Sequence, residues 1–204
     1  MDLSEQDRAR ISKAIRANEA RSSGEIICVL AKSSSDHATT LPVVIAAVLS
    51  LALPWILMVC TSMSLQSMLS LQVLLFLVLL AAASVPRVGT ALIPRATRRA
   101  LAHRAAMEQF VIRGVARKKE RTGILIFVSM AERYARIIAD EGIDKHVSQS
   151  EWQEAVDALV EHTRHGRIAD GFVEAIDRCG RVLATHFPRT ETSHDELPDR
   201  IYVL

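Results

Sequence analysis

Between Ala38 and Pro86 the chain carries no Asp, Glu, Lys, Arg or His. A bilayer crossing takes about 20 consecutive apolar residues, so this stretch is too long for one crossing and suits two joined by a short turn. The expected spans are roughly Leu41–Cys60 and Met68–Val88, with Thr61, Ser62, Ser64, Gln66 and Ser67 forming the turn. Pro54 lies inside the first span and is expected to kink it, a cost that neighbouring helices offset by re-satisfying the freed backbone groups. The competing arrangement is a buried helical hairpin in a soluble core. It would require the rest of the chain to wrap two helices that are apolar on every side, and too few residues remain for that.

The flanks of this stretch orient it. The turn is uncharged, whereas Arg87, Arg95, Arg98, Arg99, Arg104, Arg113, Arg117, Lys118, Lys119 and Arg121 follow the second span against only Glu108 and Glu120. By the positive-inside rule both termini are expected in the cytoplasm, giving a two-span protein of the cell inner membrane. The polar opening MDLSEQDRARISKAIR lacks the basic-then-apolar order of an export signal. Cys28, Cys60 and Cys179 are odd in number and form no CxxC pair, which suits a reducing compartment.

The overall charge of +2 conceals a strong asymmetry. Met1–Thr40 is balanced, Arg87–Arg121 is about +8 and Thr122–Leu204 about −6. Only Phe110 interrupts the basic segment with an aromatic ring, so a nucleic-acid face is not expected. The bilayer surface is the expected partner instead. Each basic residue near an anionic leaflet contributes about 1 kcal/mol, and Arg95, Arg98, Arg99 and Arg104 are the candidate contacts.

Outside the spans the patterns alternate between helix and strand. Ser4 before Glu5, Gln6 and Asp7 is a hydroxyl N-cap followed by acids, and Ile11, Ala14 and Ile15 continue one helical face towards Arg21. Ser22, Ser23 and Gly24 then turn the chain into Glu25–Leu30, a β-branched run suited to a strand buried on both faces. Beyond Pro94, Arg95–Lys118 is expected as a long helix packing through Leu101, Ala105, Met107, Phe110 and Val111. Ile124–Val128 is a second buried strand, and a turn at Ala131–Arg133 leads into Tyr134–Ala139 as a β-hairpin. A parallel pairing of the first two strands needs a crossover of unusual length, so a mixed sheet is expected.

Two amphipathic helices follow. The first is expected to start with a capping box of Ser150 and Gln153 and to pack through Trp152, Ala155, Val156, Leu159, Val160 and Thr163. The second runs over residues 168–185 with Ile168, Phe172, Val173, Ile176, Cys179, Leu183 and Ala184 as its stripe, ending at Phe187 and Pro188. The tail becomes apolar again only at Ile201–Leu204 and either docks as a last strand or stays an unfolded peptide.

The stretches Glu19–Ile26, Arg121–Val128, Arg136–Ile143, Trp152 and His165–Phe172 together resemble the TPM-domain family. The resemblance implies a doubly wound α/β domain that is usually tethered to a membrane. For plant members, acid phosphatase activity and divalent-metal binding have been proposed, while others look like accessory proteins of membrane complexes. This chain departs from the family pattern at three places. Arg121, Thr122 and Gly123 stand where Asp-Asn-Gly is frequent, Asp140–Asp144 replaces Gly-Tyr-Gly-Leu-Glu, and Asp170 is displaced by one residue within Gly166–Gly171.

The candidate chemistry is sparse. Asp140, Glu141 and Asp144 cluster past a strand end, where sites in open α/β sheets gather, and Asp140 and Asp144 are the candidate ligands for a calcium or magnesium ion. Such an ion would neutralise charge on a transferring phosphoryl group. His162 and His165 lie near a helix end without the third ligand that zinc needs, so they are expected as helix-terminal cations. Ser129 and Cys28 sit in apolar strands without an evident base. Glu25 either lines a pocket or forms a strand-edge salt bridge.

The expected fold is therefore α/β, a small mixed sheet flanked by helices in TPM-like, Rossmann-like layering and interrupted by a transmembrane hairpin. Its parts are residues 1–36 (helix and first strand), 37–94 (hairpin), 95–190 (the rest of the domain) and 191–204 (tail). The expected function is that of an accessory or scaffold protein at the cytoplasmic face of the inner membrane, binding a membrane protein complex. A metal-assisted phosphatase using the acidic loop is the alternative.

Overall fold

The computed structural model describes residues 3–33, 43–52, 64–83, 94–117, 120–190 and 197–204. The chain divides into two compact units, residues 35–101 and the remainder.

The remainder is built on two strands, β1 (Glu25–Ala31) and β2 (Gly123–Ser129), in which every residue is buried. They pair in parallel, from Glu25 opposite Gly123 to Ala31 opposite Ser129. β3 (Tyr134–Ala139) pairs antiparallel with β2, and β4 (Ile201–Val203) pairs parallel with β1, giving the order β3-β2-β1-β4. The sheet is mixed, as expected, and the tail docks as its fourth strand. Leu204 N–H donates to the Leu30 carbonyl at 2.9 Å, and Arg113 stacks 3.9 Å from the centroid of the Tyr202 ring.

Alternation along β1 and β2 sends side chains to two cores. Ile26, Cys28, Leu30, Ile124, Ile126 and Val128 face the helices α1 (Glu5–Glu19), α6 (Gln149–Arg164) and α7 (Ile168–His186). Ile27, Val29, Leu125 and Phe127 face α4 (Arg95–Ile112). A Cβ on Gly180 would overlap the side chain of Asn18, so this glycine lets α1 and α7 approach closely.

Four details differ from the sequence expectations. α4 stops at Ile112 because Gly114 takes a φ of 79°, after which Val115–Arg117 forms a 3₁₀ turn; Lys118 lies outside the described residues. Phe110 and Ala105 of its expected stripe pack against the sheet, but the buried stripe is Ala102, Ala106 and Phe110, spaced four apart with two small residues next to the sheet, and Met107 and Val111 are left exposed. The cap of α6 is Ser148, whose N–H donates to the Glu151 carboxylate at 2.8 Å, not Ser150. A one-turn helix, α5 (Glu141–Asp144), replaces the acidic loop.

In the other unit two apolar helices are described, α2 (Val43–Ala52) and α3 (Leu65–Ala83). α3 begins three residues before the expected span, because the Ser64 hydroxyl accepts the Ser67 N–H at 3.3 Å and draws Gln66 and Ser67 into the helix. Pro54, the expected turn at Thr61 and Ser62, and the end of the second span fall outside the described residues.

Candidate functional site

Because β1 and β2 run parallel, the sheet has one carboxyl edge and one amino edge, and polar residues collect at both. Ligands of open α/β sheets bind at the carboxyl edge. There Ser129, the last residue of β2, donates from its hydroxyl to the Glu132 carboxylate, and the Ser33 hydroxyl donates to the second oxygen at 3.1 Å. Glu132 is 6% exposed. Arg133, with φ at 50°, makes the tight turn that folds Glu132 back under the strand ends. Glu132 was not singled out from the sequence. Its signal was an acid three residues after a buried strand, where a turn must reverse the chain.

The amino edge gathers more ionisable groups. Glu19 closes α1 with its carboxyl buried, accepting the Ile26 N–H at 2.8 Å. Burial pushes its pKa up to about 9; the backbone bond opposes this, and the nearby Asp199 and Glu25 add to it. Glu19 is thus neutral at pH 7. Glu25 opens β1, buried, with its N–H donating to the Thr122 carbonyl at 3.2 Å.

Asp140 and Asp144 also belong to this edge. β3 is antiparallel, so its carboxyl end lies beside the amino ends of β1 and β2, opposite the carboxyl edge at which ligands of open α/β sheets gather. Asp140 caps α5, accepting the Glu141 N–H at 2.7 Å. Arg121, with φ at 56°, places its Nε 3.5 Å from Asp140 Oδ1 and an Nη 3.3 Å from Glu141, while its other Nη donates to the Ala116 carbonyl. The second oxygen of Asp140 is buried and has no hydrogen-bond partner among the described residues. Asp144 lies exposed one helical turn away, and its backbone N–H donates to the Asp140 carbonyl at 3.0 Å. Among the described residues no group of three His, Cys, Asp or Glu side chains is placed to hold a metal. An ion held by Asp140 and Asp144 would have to complete its shell with water and compete with Arg121.

The remaining candidates are dispersed. Asp170 pairs with Arg10 at 2.7 Å, and this hydrogen bond chiefly lowers its pKa. His165 caps α6, its Nδ1 lying 2.9 Å from the Glu161 carbonyl oxygen. Burial raises the pKa of both Cys28 and Cys179, which leaves them as protonated core thiols. Along α4, Arg95, Arg99 and Arg104 are exposed and Arg98 is half-buried, with Arg104 paired to Glu108 at 3.2 Å.

Residues 89–182 match the family model described as TPM domain. The fold is similar to that of the BA42 protein from the psychrophilic bacterium Bizionia argentinensis, solved by NMR, with a TM-score of 0.63 and 22% sequence identity. That likeness covers 100% of this chain and 96% of the other, and at such identity it establishes the fold alone. None of the curated proteins matches the chain.

Proposed function

We propose, from the premise that this chain is a TPM-domain protein, that it is a two-span inner-membrane accessory protein whose folded unit is held against the cytoplasmic leaflet. The observation that carries this reading is the residue-by-residue pairing of β1 with β2 across the apolar insert. Two strands of one sheet must lie on one side of a membrane, so the chain between them crosses an even number of times. α3 supplies one crossing. Its 19 residues extend about 28 Å, close to the hydrocarbon thickness. Only 6% of its apolar window is buried, which sets it apart from the core helix of a soluble protein. Leu41–Cys60, which contains α2, is the remaining uncharged stretch long enough for the second crossing.

The charge on α4 supports the orientation, since Arg95, Arg98, Arg99 and Arg104 would lie at the anionic leaflet with both termini in the cytoplasm. An accessory role is supported by the use of polar groups at both sheet edges. Glu132 ties the β2–β3 turn to Ser33, Glu19 ties α1 to β1, and Asp140 caps α5. Membrane fractionation of the full chain tests the anchor: it is expected to resist alkaline carbonate extraction, and release into the supernatant would sink the reading. A reporter fused after Leu204 is expected to be active only in the cytoplasm.

One observation favours a metal-assisted phosphatase as the second reading, namely the buried Asp140 Oδ2, which has no partner among the described residues. Hydrolysis of a phosphoester panel by the full chain in nanodiscs, dependent on added calcium or magnesium and abolished in Asp140→Asn, would establish it. Absence of metal-dependent turnover would discard it.

A further inference from the structure

β3 is an edge strand, and its pairing geometry leaves one row of backbone groups without partners among the described residues. Asp140 N–H donates to the Gly123 carbonyl, which fixes the alternation of the antiparallel ladder. Residues 134, 136 and 138 therefore bond to β2, while Ala135, Ile137 and Ala139 direct N–H and C=O away from it. Beside this edge lies a cavity of ≈ 220 Å³ formed by Tyr134, Arg136, Ile137, Trp152 and Val156. Trp152, on α6, is 2% exposed, and its indole N–H has no acceptor among the described residues. Arg136 is exposed and makes no ion pair among the described residues.

We propose that the free edge of β3 takes up an extended, acidic segment of a partner protein as a fifth strand. Strand addition supplies main-chain bonds to Ala135, Ile137 and Ala139, and side-chain pockets set the specificity. Alternation then dictates the sequence of the incoming strand. Arg136 projects to the face of Tyr134 and Ile138, so a carboxylate belongs opposite it. Residues on the other face lie over the cavity beside Val156 and Ile137, where apolar side chains belong. A second copy of this chain fits less well, because edge-to-edge pairing would bring two Arg136 side chains onto one face within a residue or two of each other. The inference deepens the accessory-protein reading by stating the chemistry of the partner, and rests on that reading for the partner being a protein.

Amide hydrogen exchange of the full chain in nanodiscs tests it, with a synthetic peptide alternating valine and glutamate and a matched valine–lysine peptide as probes. At millimolar concentration the glutamate peptide is expected to slow exchange at Ala135, Ile137 and Ala139 by about tenfold or more and to shift the Trp152 indole resonance. The lysine peptide should do neither, and Arg136→Glu should exchange the two preferences. No protection by the glutamate peptide overturns the proposal. So does equal protection in Arg136→Glu, or a dimer through β3 that excludes both peptides. Carbonate extraction and amide protection fail separately: a released protein that still protects these amides loses its anchor and keeps its docking edge.

Discussion

α3 and α7 are both 19 residues long, yet they meet opposite demands. α7 places Ile168, Phe172, Ala175, Ile176, Cys179 and Leu183 on one buried side and leaves charges such as Arg181 on the other. α3 has no polar side: Met68 is buried and Gln72, Leu75, Phe76 and Leu79 are half-buried along one face, yet the rest of the helix, with Leu69, Val73, Leu74, Leu77 and Val78 more than half exposed, is apolar too and carries no charge. An amphipathic helix is positioned by the core it covers, whereas a uniformly apolar one is positioned by its surroundings.

The largest effect expected from breaking this contrast lies in α7. Phe172→Ala should destabilise the folded unit by about 3–5 kcal/mol in denaturant titration, because a fully buried ring leaves a cavity between the helices and the sheet. The same truncation at Leu74 should shift that midpoint by no more than about 0.5 kcal/mol. Leu74→Arg reverses the sensitivity. It should disfavour membrane insertion by about 3 kcal/mol, read in a translocon insertion assay, and leave the fold of the sheet unit unaltered.

The folded unit also differs from the insert in burying an ionisable group. Glu19 holds its proton to about pH 9 in the fold but releases it near 4.5 when exposed. Folding therefore takes up a proton between those values. The stability this group contributes is fully present below 4.5 and is lost progressively as the pH rises towards 9. Glu19→Gln copies the protonated form, so it should raise stability at pH 7 by up to about 3 kcal/mol and flatten that pH dependence. A variant that is less stable than wild type at pH 7 would overturn the assignment. Ser148→Ala, which removes the capping hydroxyl of α6, should cost about 1 kcal/mol by thermal denaturation.

The limits of β3, those of β1 and β2 to within one residue, the cap of α1 and the stripe of α7 were legible because each depends on local periodicity or on one flanking residue. The stripe of α4 was legible at Ala105 and Phe110 but not beyond, since its apolar residues outnumber those that pack and only the sheet opposite selects Ala102 and Ala106. Ser148 was overlooked as a cap because Ser150 offered the same chemistry two residues later. At the candidate sites, Asp140 and Glu25 were named for their residue types and strand-end positions. Their company was not legible: Arg121 reaches Asp140 across 19 residues, and Glu19 meets Asp199 across 180.

The long uncharged stretch, the strands β1 to β3 and the apolar stripe of α7 are set by the sequence alone, because those properties follow from side chains a few residues apart. Only the tertiary structure decided that the tail closes the sheet beside β1, that β3 runs antiparallel and carries the acidic turn to the amino edge, and that the two strands flanking the insert are direct neighbours. Those outcomes depend on pairings between distant segments, whose free energy is shared among many contacts and marked by no single residue.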